Sequence, residues 1–255
     1  MPSTIWIGSI NFSGTSIPVR LHTAVREDLV QFHLLHKTDR VRLRQQMICA
    51  YDKAPVPAEE QVKGFKVDER KYVLIGQDEL ELTEPESGRL IDVHEFVPEG
   101  SIDPVFEERT YYLEPDNSSK SCAAFAAALS EMNAQGICTW VMRKRAYFGA
   151  ISSSGGTLKL NTLRYSDEVI SAKSLEIEQF TLSDKELEIG AELIKKLTVK
   201  FKPEKYVNEH QIRLRELIDK KARGMKITLL KPKHLKATQP DKLLETLQKS
   251  LKKAA

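Results

Sequence analysis

The chain has 255 residues, with 39 Lys and Arg against 36 Asp and Glu for a formal net charge of +3, and three cysteines, Cys49, Cys122 and Cys138, without C-x-x-C spacing. That length suffices for one large domain or two small ones, and no run of about 18 apolar residues is present to cross a membrane. An odd, unpaired cysteine set argues against a disulfide scaffold, and the opening MPSTIWIGSINFSG lacks a basic leader and a long apolar stretch, so a reduced, cytoplasmic protein is expected.

The first 51 residues read as β structure. Ile5 and Ile7 open one strand, and Ile17, Val19 and Leu21 alternate with Pro18, Arg20 and His22 in the next. In RVRLRQQMIC, Arg40, Arg42 and Arg44 alternate with Val41, Leu43 and Gln45, so a third strand is expected to project three arginines on one face, roughly 7 Å apart. Such a row follows a phosphate backbone without reading sequence. The same row also suits a solvated strand face or charges that protect a sheet edge. Short β segments continue at Tyr72 to Ile75, Arg89 to Phe96 and Thr110 to Leu113, spaced as in a barrel with long connections. A helix is expected from about Ser118 to Gln135, with Cys122, Phe125, Leu129 and Met132 as one apolar stripe and Gly136 as the stop.

From Gly136 to Leu163 the pattern is an antiparallel meander. GICTWVM is apolar on both faces, as in a strand buried between two layers, and Arg143, Lys144 and Arg145 sit at or beside a hairpin turn. SSSGG at Ser152 to Gly156 supplies a second turn before Leu158, Leu160 and Thr162 alternate with Lys159, Asn161 and Leu163. The chain then turns helical. Ser183 and Glu186 have capping-box spacing ahead of Leu187, Ala191, Ile194 and Leu197, and Pro203 opens a second helix carrying Tyr206, His210, Leu214 and Leu217, with Gly224 beyond its end. Residues 222–239 read as a linker, and Pro240 and Asp241 start a short helix bearing Leu243, Leu244, Leu247 and Leu251. That leucine stripe either packs back on the body or docks into a partner groove.

Charge is segregated along the chain. Lys195 to Ala255 holds 18 Lys and Arg against 6 Asp and Glu, whereas Met1 to Ile194 holds 21 against 30. A basic tail on an acidic body suits a polyanion partner met through selected surfaces, and equally a solvated charged helix. No P-loop, dinucleotide fingerprint or G-x-S-x-G elbow is present, which favours binding over catalysis. His33, His36, Cys49 and Asp52 are the nearest approach to a metal-ligand cluster, and without paired cysteines no closed zinc site and no cofactor are expected.

Several stretches carry a family resemblance. LNTLRYSDEV, Leu160 to Val169, resembles the T-L-R-Y-x-D-E-V element of the Ku core family, and GICTWVMR resembles the strand pair before it. Upstream, residues 64–116 contain in order G-[FY], K-Y-V, an acidic D-E-L segment, R-x-I-D-[IV], E-F-V, I-D-P and Y-Y-L-x-P-D, and ELEIGAELIKKLTVKFKPEKYVNEH is similar to the helical arm after the core. The match is closest to the short bacterial form that acts in non-homologous end joining. Ordered similarity covers most of the span from Met1 to roughly Lys221.

The resemblance implies an α+β protein: an antiparallel Ku core β-barrel over residues 1–182, a helical arm over 183–221, and a basic linker with a C-terminal amphipathic helix over 222–255. It implies a ring-shaped homodimer of the minimal form, without the extra N-terminal domain of eukaryotic relatives, that threads onto double-stranded DNA ends in the nucleoid and recruits the ATP-dependent DNA ligase D. Expected DNA contacts are Arg40, Arg42 and Arg44, then Arg143, Lys144 and Arg145, followed by Lys37, Lys159 and Arg164. Arg164 suits equally a structural pairing with Asp167 or Glu168. Where many relatives carry arginines near the last meander turn, this chain has Ser152 to Ser154, which moves some of the expected contact to the tail. Two other readings stay open: a general duplex coating protein, and an end-processing lyase using Lys37, Lys66, Lys120 or Lys144 as the amine nucleophile.

Overall fold

Hairpins with two-residue turns build the body. The computed structural model describes residues 3–69, 71–178 and 183–225. Strand β1, Thr4–Phe12, passes through Ser13 and Gly14, both at positive φ, into β2, Thr15–Thr23. The same device joins β7, Ala134–Met142, to β8, Arg145–Ser154, and joins β8 to β9, Thr157–Leu163. Two left-handed residues in a row match the right-handed twist of the flanking strands, so these turns lock register.

With β5, Leu90–Pro98, and β6, Glu107–Pro115, these strands close a seven-strand barrel in the order β1-β2-β6-β9-β8-β7-β5. Six of its pairings are antiparallel. The barrel is antiparallel as expected except at the closing seam, where β5 runs parallel to β1 with Ile10 opposite Ile91. There Asn11 Nδ2 donates to Asp92 Oδ1 at 2.7 Å, and Ser9 N–H donates to the Arg89 carbonyl at 2.8 Å. The R-x-I-D-[IV] element is therefore the closure of the barrel.

Ile10, Val19, Leu21, Ile91, Cys138, Ile151 and Leu160 are fully buried inside. Each aliphatic chain among them stabilises the fold by about 1.5–3 kcal/mol. Burial also pushes the Cys138 thiol far above its ordinary pKa, which makes it inert. The β7 strand is not sandwiched between layers as its two-sided apolar pattern suggested. Cys138, Trp140 and Met142 face the core, while Ile137 and Val141 are half-buried and Thr139 is exposed.

Helix α2, Ser119–Glu131, packs against β7, β8 and β9 and buries Cys122, Phe125, Ala126 and Leu129. Phe125 stacks on Phe12 with centroids 4.9 Å apart. Met132 does not complete the stripe: it follows the last helical turn and is 74% exposed. Asn133, at φ +46°, ends the helix, whereas Gly136 lies within β7. Asparagine tolerates the left-handed region well enough to serve as the stop.

Between β2 and β5 the chain is organised differently. Residues 24–62 form no named strand, and β3, Lys63–Asp68, pairs only with β4, Lys71–Ile75, in a two-stranded ribbon ahead of the short helix α1, Gln77–Glu81. No described residue from Thr23 through Ile75 is buried.

The chain divides into two compact units, one of Met1–Glu27 with His33–Ser174, the other of Asp28–Phe32 with Leu175–Ala255. In the second, α3, Asp184–Leu197, leaves Leu187, Ile194 and Leu197 exposed. Its expected capping box involves the Glu186 side chain, which lies outside the described residues. Pro203 opens a separate 3-10 turn, Pro203–Lys205, and α4 begins later, at Glu209–Ala222. Asn208 caps α4 by accepting from Gln211 N–H at 3.1 Å, and Gly224 follows at φ +71°. Gln211 Oε1 accepts from Val30 N–H, and Arg215 pairs with Asp28 at 2.7 Å, which ties residues 28–32 to this helix. The linker beyond Met225, the expected leucine helix and the tail lysines fall outside the described residues. Among the described residues no helix is long and apolar enough to cross a membrane.

Candidate nucleic-acid interface

The predicted cations occupy three environments. The first is a narrow hairpin in the exposed segment, held by His36 N–H to Val41 carbonyl at 2.8 Å and Leu43 N–H to Leu34 carbonyl at 2.9 Å, with Leu35 bridged to Arg42. This corrects the expected strand. Arg40 sits at φ +62° where the turn closes, so Arg40, Arg42 and Arg44 do not form one row. No neighbouring strand supplies a ladder here, and alternation in sequence needs a ladder to become alternation in space. Arg42 donates to His33 Nδ1 at 3.0 Å, whereas Lys37, Arg40 and Arg44 are exposed with no side-chain ion pair among the described residues.

A second hairpin repeats the design. Cys49 N–H donates to Ala54 carbonyl, Ile48 bridges to Pro55, and Lys53 lies at φ +64°. In each turn an aspartate accepts from the N–H two residues on, Asp39 from Val41 and Asp52 from Ala54, both at 3.0 Å. Asp39 also pairs with His36 at 2.9 Å. These bonds hold Asp39 below the ordinary carboxylate range, with the Val41 N–H as the larger cause, and hold Asp52 there through Ala54 and then the Cys49 side chain. His36 and Cys49 are thus engaged within their own turns. Among the described residues no group of three or more His, Cys, Asp or Glu is placed to hold a metal ion.

The second environment is the β7–β8 turn. Met142 pairs with Arg145, and Arg143 and Lys144 form the turn at φ +53° and +63°. Asn or Gly is at home in both positions, so two long basic side chains are held there against local preference. Arg143 and Arg145 are exposed without an ion pair among the described residues. Lys144 is held by both Glu84 oxygens, at 2.9 and 3.2 Å. The Glu84 contact, with Glu81 contributing, raises the Lys144 pKa and keeps the amine charged. An amine nucleophile needs the opposite shift.

The third environment is structural. Lys159 is half-buried on β9, between Tyr112 and Ser152 across the ladder. Arg164 pairs with neither Asp167 nor Glu168. Its guanidinium donates to the carbonyls of Val105, at 2.9 Å, and Glu107, while its own N–H donates to the Phe106 carbonyl. Around it, Thr162 exchanges hydrogen bonds with the Arg109 backbone, Tyr165 stacks on Phe148, and Glu168 accepts from Tyr165 N–H at 2.7 Å. The T-L-R-Y-x-D-E-V element is a clasp that fastens the end of β9 to the start of β6. Sequence reasoning missed Glu84 as the partner of Lys144, and its only signal was membership in an acidic run.

Fold and site together define a closed β-barrel protein in which seven of the nine predicted cations are exposed at or beside turns, with Lys159 and Arg164 held in the barrel wall. Residues 11–189 match the family model described as the Ku70/Ku80 beta-barrel domain. The chain is 58% identical over 252 residues to Non-homologous end joining protein Ku 2 of Geotalea uraniireducens, covering 99% of this chain and 98% of that one. It is 36% identical to the Ku protein of Anaeromyxobacter sp., over 89% of this chain and 78% of the relative, and 34% identical to that of Solibacter usitatus, over 100% and 95%. The chain belongs to the Ku family.

Proposed function

We propose that this protein binds double-stranded DNA ends without sequence preference in non-homologous end joining, as a threaded ring of two copies that protects and bridges the ends. Family membership supports the pathway. The observation that carries the binding chemistry is that Lys37, Arg40, Arg44, Arg143 and Arg145 are exposed at or beside hairpin turns and make no side-chain ion pair among the described residues. Cations on turns contact phosphates by charge and shape and leave bases unread, so affinity falls with salt and a collar slides.

The second copy covers the exposed segment. Leu34, Leu43, Phe65, Val73 and Leu74 are each about half exposed or more, and a two-stranded ribbon with no buried face is marginal alone in water. A second copy of the chain is the occupant this reading assigns. Recruitment of the ATP-dependent ligase D is assigned to the arm from Glu204 to Lys221 and the linker after it, and extra DNA contact to the lysines beyond Met225. Lyase chemistry has little support at Lys144, whose amine is held charged.

The test is a gel-shift competition between linear duplex and closed circles of the same sequence, with the linear ends then capped by bulky blocks. Preference for open linear ends is expected. Equal competition by closed circles would replace the ring with a coating protein.

A further inference from the structure

Beside the β7–β8 turn lies a crevice of about 290 Å³ lined by Trp6, Ser87, Gly88, Arg89, Arg143 and Lys144. Its lining includes an indole. Trp6 is half-buried, packs against the barrel core, and lies over Gly8, where a Cβ would fall 2.7 Å from Trp6 Cζ2. Only glycine leaves room for the ring in this position. The rim is cationic. Arg89 and Arg143 are exposed and have no ion pair among the described residues, and Lys144, although held by Glu84, adds its ammonium. Arg143 and Lys144 are presented there by the left-handed two-residue turn that joins β7 to β8.

An indole face beside two free guanidiniums matches a flat heterocycle joined to a phosphate. Indole stacks on any base, and guanidinium binds phosphate oxygens in bidentate fashion. The crevice is too small for a duplex, whose bases are in any case stacked on both faces. We propose that it takes the unpaired, 5′-phosphorylated terminal nucleotide of an overhanging strand, with the base over Trp6 and the phosphate between Arg89 and Arg143. This rests on the DNA-end reading above and deepens it: the turn that meets duplex phosphates would also register whether the end carries an overhang.

The two tryptophans allow a direct measurement. Trp140 is 3% exposed and stacked on Tyr147, so it supplies a constant background, while Trp6 reports occupancy. Full-length protein is titrated with a 5′-phosphorylated thymidine trinucleotide, its unphosphorylated form, free thymidine monophosphate and inorganic phosphate. Saturable quenching by the phosphorylated trinucleotide is expected, weakened about tenfold without its phosphate or in Arg89→Gln, as the loss of one charge-assisted contact predicts. Arg89→Gln should retain its blunt-duplex affinity, which shows that it folds. No quenching, or equal quenching in Arg89→Gln, would overturn the proposal. Inorganic phosphate displacing the trinucleotide at equal concentration would reduce the crevice to a plain anion site and overturn the nucleotide assignment, and tighter binding of the monophosphate would assign it to a free nucleotide instead. Preference of the same protein for linear over circular duplex separates the two readings: with that preference intact, failed quenching sinks the crevice alone.

Discussion

The barrel and the segment between β2 and β5 are made of similar residues and solve opposite problems. In the barrel, alternation along each strand is converted by hydrogen-bonded neighbours into an inside and an outside, and Ile10, Leu21, Ile91 and Leu160 lose all contact with water. In the segment, Leu34, Val41, Leu43 and Met47 alternate or nearly so and remain more than half exposed. The difference teaches that an apolar pattern defines a face, and that only a closed ladder or a second surface buries it. One region buries its own apolar face; the other leaves its apolar side chains exposed.

Changes to the barrel should cost the most. Gly149→Ala places a Cβ against the Asn161 carbonyl and 2.7 Å from Trp140 Cζ3, and neither backbone nor buried indole can yield. A loss of about 3 kcal/mol is expected, read as a melting temperature lower by about 6–12 °C. An unchanged melting curve would show that the barrel tolerates the shift. The segment should respond in the other way. Leu43→Asp with Val73→Asp is expected to weaken association of two copies by about 2 kcal/mol in sedimentation while the barrel melting transition stays put. A monomeric wild type, or a dimer indifferent to both changes, would break the contrast.

Two arginines of equal charge sharpen it further. Arg143→Gln should weaken DNA binding by about 1 kcal/mol and reduce the salt slope by about one unit, without loss of stability. Arg164→Gln should do the reverse, lowering stability by about 1 kcal/mol through its lost carbonyl contacts and leaving the salt slope alone. The smallest effect concerns acid. Asp39 and Asp52 are depressed below their ordinary 3.8, so their contribution to the twin turns is complete above that pH and is lost as pH falls through the lower folded values. NMR titration of the Val41 and Ala54 amides should show these bonds surviving below pH 3.8 and opening only under stronger acid, and midpoints at 3.8 would contradict it.

Much was legible in advance. β1, β2, β5, β6 and the meander follow from period-two alternation bounded by turn residues, and α2 follows from its alanines and its apolar stripe. The motifs marked the family, yet the structure gives them architectural work: Asp92 closes the barrel seam and Arg164 clasps β9 to β6. Sequence could not separate Arg164 from Arg143. Both are arginines near a turn, and only their neighbours distinguish a guanidinium satisfied by carbonyls from one facing solvent.

The sequence by itself determined most of the barrel's local elements, the meander turns and the family, because backbone preference and side-chain period act over a few residues. Tertiary structure decided the rest: the parallel β1–β5 closure, the break at Arg40 in the supposed arginine row, the Glu84 hold on Lys144, and the crevice that Trp6 helps to line. Each of these depends on groups far apart in the chain or on a ladder that is absent. Hydrogen-bond partners and charge neighbours are set by distance in space, which a one-dimensional pattern does not contain.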